Sequence, residues 1–268
     1  MVVIDHVHLS SALRYIRYAF IRRLMIQYLY KYAERVINVS EQGAHDIIEN
    51  FQIDKQKVQC IYNPVDIESI QERALESKTV PDDIPADRPI ILTVGRLTRQ
   101  KDYPTLLGAF RIVLKEQNAF LIILGEGEER DALIGLSKNL GIDSHILFAG
   151  FQKNPYPFFR RADCFVLSSI YEGFGIVLVE AMACGCPVIS TDCLAGPGEI
   201  IEDGQSGLLV PVGDIQLLAK QVLSVLLDRS LKNKLKAGGI QRMSAFHHLR
   251  IVGQYECLFQ FISSSKIS

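Results

Sequence analysis

Short apolar runs alternate with longer stretches whose apolar positions recur at helical spacing, and this alternation governs most of the chain. Pro89-Ile90-Ile91-Leu92-Thr93-Val94 reads as a buried strand and runs into the loop Gly95-Arg96-Leu97-Thr98-Arg99-Gln100-Lys101-Asp102. The pattern then predicts a helix over 103–117, with Pro104 near its start, where a missing N–H costs nothing. Next come a strand Phe120–Leu124, the turn Gly125-Glu126-Gly127, a helix over 128–140, a strand Ile146–Phe148, the turn Gly150-Phe151, a helix over 155–162 and a strand Asp163–Leu167. Val188-Ile189-Ser190 and Leu208–Val210 add strands, and helices are expected over 214–228, 230–243 and 247–263. Such an order predicts an α/β fold: a parallel sheet with helices on both faces.

The first part of the chain follows the same rule with fewer strands. Val2-Val3-Ile4 is a strand, residues 12–33 carry a helical pattern, and Arg35–Val39 is a second strand. Ser40 is placed to cap a helix from Glu41 to Phe51. Lys57–Ile61 is a third strand, broken by Asn63-Pro64. Residues 67–88 are polar, include Pro81 and Pro85, and read as a helix followed by a linker. The expected division is residues 1–62 as part of one domain, 63–88 as linker, 89–245 as a complete second domain, and 246–268 as a closing helix.

Composition narrows the function. In 268 residues, 48% are hydrophobic, enough for a sizeable core, and the net charge of −1 supplies no field for nucleic acid. No apolar run reaches the roughly 18 residues of a membrane span, and no signal-peptide pattern opens the chain. The six cysteines are scattered, mostly through apolar runs, so reduced structural thiols and a cytoplasmic location are expected. Cys184-Gly185-Cys186 sits where a helix ends and lacks a second ligand pair at zinc spacing, so no metal site is expected there. Residues 12–33 are basic (Arg14, Arg17, Arg22, Arg23, Lys31) and rich in tyrosine. A basic amphipathic helix of this kind can lie on an anionic membrane surface, and it can equally be an ordinary helix with a solvated basic face.

The densest chemistry lies between two buried strands, in Ser168-Ser169-Ile170-Tyr171-Glu172-Gly173-Phe174-Gly175-Ile176-Val177-Leu178-Val179-Glu180-Ala181-Met182-Ala183-Cys184-Gly185-Cys186-Pro187. Gly173 and Gly175 let backbone approach a ligand, and the free N–H groups of a helix starting near Ile176 make an anion site. Glu172 and Glu180 bracket the turn.

Glu-x7-Glu around Glu-Gly-Phe-Gly, followed by Glu-Ala-Met-Ala-x-Gly-x-Pro-Val, resembles the retaining nucleotide-sugar glycosyltransferases of the GT-B fold, family 4 type. That resemblance implies two Rossmann-like domains. It makes Gly95, Arg96, Lys101, Gly125, Phe151, Glu172, Gly173, Phe174, Gly175, Ile176, Val177 and Glu180 the donor site. Arg96 and Lys101 would hold the diphosphate, Glu180 the ribose hydroxyls and Glu172 the donor sugar. Gly125 and the segment around Phe151 would wall the base pocket, though Phe151 has a plain packing role as its alternative. His6, at a strand end on the acceptor side, would orient a hydroxyl or serve as a structural histidine.

Residues 1–62 are too few for a whole Rossmann-like domain, so a truncated N-terminal domain is expected. No Asp-x-Asp occurs, which favours metal-independent transfer with Arg and Lys in place of a cation and no cofactor. The expected activity is transfer from a UDP-linked or similar sugar to a glycan or lipid-linked acceptor, in polysaccharide or glycolipid synthesis at the inner membrane face. The competing reading is a truncated, inactive homologue that binds a nucleotide or a partner. A dehydrogenase fails, because Gly125-Glu126-Gly127 lacks the third glycine of the dinucleotide fingerprint.

Overall fold

A computed structural model describes residues 1–14, 17–76, 84–85 and 87–264. It contains two parallel sheets. The first runs β1 (Val2–Asp5), α1 (Leu9–Leu13), α2 (Ala19–Lys31), β2 (Arg35–Asn38), α3 (Glu41–Phe51) and β3 (Val58–Cys60), with strand order β1-β2-β3. After α4 (Ile67–Arg73) come β4 (Ile90–Val94), α5 (Tyr103–Val113), β5 (Phe120–Leu124), α6 (Arg130–Asn139), β6 (Ile146–Gly150), α7 (Tyr156–Arg161), β7 (Cys164–Leu167), α8 (Ile176–Ala183), β8 (Val188–Thr191), α9 (Pro197–Ile200) and β9 (Leu208–Val210). Three helices finish the chain: α10 (Ile215–Leu227), α11 (Arg229–Met243) and α12 (His248–Ser264).

The larger sheet has order β6-β5-β4-β7-β8-β9, every pair parallel. The chain therefore builds outward from β4 on one side, then returns and builds outward from β7 on the other. Such a reversal opens a crevice at the carboxyl ends of the two central strands.

Strand alternation divides the apolar residues between two cores. Leu92, Ile122, Phe165 and Val188 face one cluster, completed by side chains of α4, α7 and α8. Ile91, Leu121, Val166 and Ile189 face the other, completed by α5 and α10. A strand buried on both faces reads as a continuous apolar run, which is why these strands lacked polar alternation. The last helix returns to the first sheet: Ile251 and Leu258 pack with Ile37 and Ile61.

The helical pattern over 12–33 is not one helix. His8 caps α1 by accepting the Ser11 N–H, and α2 begins only after Tyr18, which sits at φ 63°. Tyr15 and Ile16 lie outside the described residues, as do 77–83, 86 and 265–268 of the expected linker and closing segment. Ile26 and Tyr30 of α2 pack toward the cluster of Leu9, Val36 and Phe51. Tyr30 also donates to Asp5 Oδ2 (2.7 Å).

Candidate active site

The crevice between β4 and β7 is built by two loops strapped together. Ile170 N donates to Gln100 O (2.8 Å), and Gln100 Nε2 donates to Tyr171 O (2.8 Å). Ser168 Oγ donates to Lys101 O (2.7 Å). These bonds bring Lys101 to Glu172, Nζ to Oε1 at 2.6 Å, in a largely buried pair. Ser169 Oγ donates to the same Oε1 (2.6 Å). Glu172 Oε2 is thus the oxygen left to accept a ligand hydroxyl. Arg96 is exposed, forms no ion pair among the described residues, and lines a cavity of 470 Å³ with Gln100, Glu128 and Tyr171.

Glycines allow the loops to meet. A Cβ on Gly125 would lie 1.9 Å from Gly95 O, so only glycine lets the β4 and β5 ends close up, and Gly125 itself has φ +133°. A Cβ on Gly173 would lie 1.9 Å from His6 O, which places the glycine turn directly against the end of β1. His6 meets this turn through its backbone, and its side chain is exposed. Gly175, at φ 88°, starts α8 without a side-chain cap, so the first-turn N–H groups, Ile176 and Val177 among them, face the turn unclaimed by a cap.

Glu180 is half-buried one turn into α8 and accepts from the Tyr156 hydroxyl (3.2 Å). Burial pushes its carboxyl above the usual range, with Tyr156 and the Arg73 charge opposing. Burial and the Glu180 charge push the Tyr156 phenol up to about 12, and Arg73 stacks over its ring at 4.6 Å.

Two aromatic positions differ in what they can offer. Phe174 is 3% exposed, its ring packed 5.4 Å from both Tyr62 and Phe246. Its side chain therefore joins core elements, and only its backbone can meet a donor. Phe151 is 75% exposed beyond β6, so it is not a packing residue. The thiols of Cys164, Cys184 and Cys193 are each pushed up to about 12, by burial above all, so they stay protonated.

Sequence reasoning missed the contacts between the two sheets. Glu199 of α9 accepts the backbone N–H groups of Glu41 (2.7 Å) and Gln42 (3.0 Å), capping α3 from across the junction. Gln42 Oε1 accepts the Ala195 N–H (2.7 Å), and Leu194 O accepts the Glu172 N–H (3.2 Å). One loop, 192–199, thus touches both α3 and the Glu172 turn. A Gly-Pro-Gly-Glu string hinted at a turn but not at its partner. Outside the crevice, Glu68, His247 and His248 cluster at the start of α12. Leu249 N–H donates to His247 Nδ1 (3.2 Å), which leaves the proton on Nε2 facing Glu68 Oε1 (2.8 Å). His247 is thus engaged between the α12 backbone and Glu68, while His248 Nδ1 is buried without a hydrogen-bond partner among the described residues.

Comparison with known proteins identifies the family. The family model for glycosyl transferases group 1 matches residues 76–242, and that for glycosyltransferase family 4 matches residues 2–69. The chain belongs to the group 1 glycosyltransferases. It is 33% identical over 231 residues to N-acetylgalactosamine-N,N'-diacetylbacillosaminyl-diphospho-undecaprenol 4-alpha-N-acetylgalactosaminyltransferase of Campylobacter jejuni, covering 86% of this chain and 61% of that protein. It is 37% identical over 173 residues to the lipopolysaccharide core biosynthesis glycosyltransferase LpsE of Rhizobium meliloti, covering 65% of this chain and 47% of the relative. The chain therefore spans less than two thirds of either relative.

In fold it matches the crystal structure of Anabaena HepE in complex with UDP and glucose, with a TM-score of 0.83, 23% identity, and 97% and 71% coverage of the two chains. Sucrose-phosphate synthase from Thermosynechococcus elongatus gives 0.84, 24% identity, and 98% and 68% coverage. The fold is GT-B: a six-stranded Rossmann-like sheet with a smaller three-stranded companion.

Proposed function

We propose that this glycosyltransferase moves a sugar from a UDP-sugar to a glycan or lipid-linked acceptor, with retention and without a metal. The observation carrying this reading is the placement of Arg96, Lys101, Glu172 and the α8 N-terminus around one topological switch point. When the bond from the anomeric carbon to the diphosphate breaks, its electron pair leaves with the diphosphate. Cations and N–H donors already aimed there stabilise that charge without reorganising. Arg96 offers a planar fork and Lys101 a point charge. Lys101, paired with Glu172, would be shared with the diphosphate, while Glu172 Oε2 accepts a hydroxyl of the sugar. Glu180 would accept ribose hydroxyls.

The relatives support a glycan or lipid-linked acceptor: one is named for a diphospho-undecaprenol substrate, another for lipopolysaccharide core synthesis. The helix α2 supports work at a membrane surface. Phe20, Ile21, Leu24, Met25, Tyr28, Leu29 and Tyr32 are exposed on the arc opposite Ile26 and Tyr30. Arg22 and Lys31 accompany that arc, whereas Arg23 is committed to the Asn50 carbonyl (2.5 Å).

The test is transfer of radiolabel from UDP-glucose, UDP-galactose, UDP-GlcNAc or UDP-GalNAc to membrane lipid-linked glycan. Label in the lipid extract is expected with one donor. UDP binding with no transfer from any donor would favour the competing reading, a homologue that binds nucleotide without turnover.

A further inference from the structure

The polar face of α3 borders a small groove beside the crevice. His8, Gln42, His45, Asp46, Asn50 and Leu194 line a cavity of 210 Å³. On α3 these positions form one stripe, while Ala44, Ile47 and Phe51 are buried on the other side. We propose that this groove holds a neutral sugar unit of the acceptor, next to the sugar being transferred. The inference rests on the glycosyl-transfer reading above and assigns the acceptor side of that site.

Position is the first argument. Leu194 belongs to the donor side, and its carbonyl accepts the Glu172 N–H, so one end of the groove is joined to the Glu172 turn by a single hydrogen bond. The other end lies at Asn50, whose carbonyl takes Arg23 of α2. A lipid-linked acceptor with its lipid at α2 would pass its glycan along this stripe toward the crevice.

Chemistry is the second argument. Three polar lining groups are fixed on one side and open on the other, and a fourth, the exposed His45 ring, has Nε2 3.1 Å from Glu49 Oε1 and its other ring nitrogen left for a ligand. His8 Nδ1 accepts the Ser11 N–H (3.3 Å), leaving Nε2–H as the ring's donor. Gln42 spends its Oε1 on Ala195 and keeps its amide N–H groups. Asn50 spends an Nδ2 N–H on Asp46 (2.7 Å) and keeps its side-chain Oδ1. Oriented donors alternating with acceptors suit vicinal hydroxyls, each of which is both. Leu194, half-exposed, offers an apolar surface to a pyranose ring face.

Charge is the third. No Lys or Arg lines the groove. Asp46 is buried and already accepts from Ser10 N (2.9 Å) and Ser10 Oγ (2.5 Å) as well as Asn50. The basic group facing this carboxylate is the His8 ring, with Nδ1 3.8 Å from Oδ2, and no fixed cation among the lining residues offsets the charge, which disfavours a phosphate there; the occupant is a neutral ring and the acceptor's phosphates lie elsewhere.

The experiment is saturation-transfer NMR on the UDP-saturated protein with methyl glycosides of glucose, galactose, GlcNAc and GalNAc, and with glucose 6-phosphate. At least one neutral glycoside should give a signal that Asn50→Ala or His45→Ala weakens about fivefold, the loss of one neutral hydrogen bond. Both residues are exposed, so the variants should fold, and their calorimetric UDP affinity should match the parent. UDP binding with no glycoside signal, or with signals that ignore both variants, overturns the groove assignment alone. Preferential binding of glucose 6-phosphate overturns the neutral class. Failure of the parent to bind UDP overturns the donor-site reading, and the glycoside arms then judge the groove without nucleotide.

Discussion

Lys101 and Arg96 contribute differently to one charge. Lys101 is held by Glu172 in a buried pair, whereas Arg96 is exposed and without an ion pair among the described residues. Replacing either with Ala should lower turnover by about 10²–10³, the usual effect of removing one charge-stabilising donor. Arg96→Ala should leave the melting temperature unchanged. Lys101→Ala should also destabilise the fold, because it strands a buried carboxylate. Turnover and thermal melts of both variants check this, and near-normal rates in both would remove the diphosphate assignment.

Glu180 sets a pH limit. Burial raises its carboxyl, so on acidification it takes up a proton at a higher pH than a free glutamate would. The native fold gains from that proton, but a ribose hydroxyl held by Glu180, as proposed above, would lose a charged acceptor. UDP affinity should therefore fall as pH drops through the raised value, and Glu180→Gln should be weak and flat over the same range. Calorimetry from neutral to mildly acidic pH measures both. Glu180, Glu172 and the two cations could be singled out in the sequence because they lie in motifs that resemble a family's, and the structure brings Lys101 and Glu172 into contact. The Ser169 and Tyr156 partners could not, since neither lies at a motif position and each acts by proximity.

At the scale of elements, α8 and α2 show what periodicity can and cannot say. The turn into α8 follows from its glycines, and the structure places the helix start at Ile176 as the pattern predicts. The helical pattern over 12–33 concealed a break, because Tyr18 enters the left-handed region that sequence periodicity does not register. Once α2 starts at Ala19, its side packed by Ile26 and Tyr30 fixes which arc faces outward. The wild-type chain should sediment with vesicles containing anionic phosphatidylglycerol, more weakly at high salt. Leu24→Glu with Tyr28→Glu should reduce that binding at least tenfold, since each replaces an apolar contact with a like charge. Equal sedimentation of the double variant would show that α2 does not carry the contact.

Across the whole molecule, loop 192–199 couples the sheets. Glu199 caps α3 while Leu194 holds the Glu172 turn. Glu199→Ala leaves two α3 N–H groups without that partner and should loosen the junction. Because UDP would contact the larger domain alone, its affinity should stay within about twofold, while turnover drops roughly five- to tenfold for the loss of charge-assisted bonds near solvent. A parallel loss of UDP affinity would mean that Glu199 supports the donor site itself. The sequence by itself determined the parallel α/β order, the switch-point loops and the family motif, because apolar runs and glycine turns are local and motif spacing is linear. Only the tertiary structure decided that Phe174 belongs to the core, that Glu199 caps a helix from the other sheet, and that α3 and Leu194 enclose a groove. Those pairings join residues more than 70 positions apart, and no local pattern encodes which distant surfaces meet.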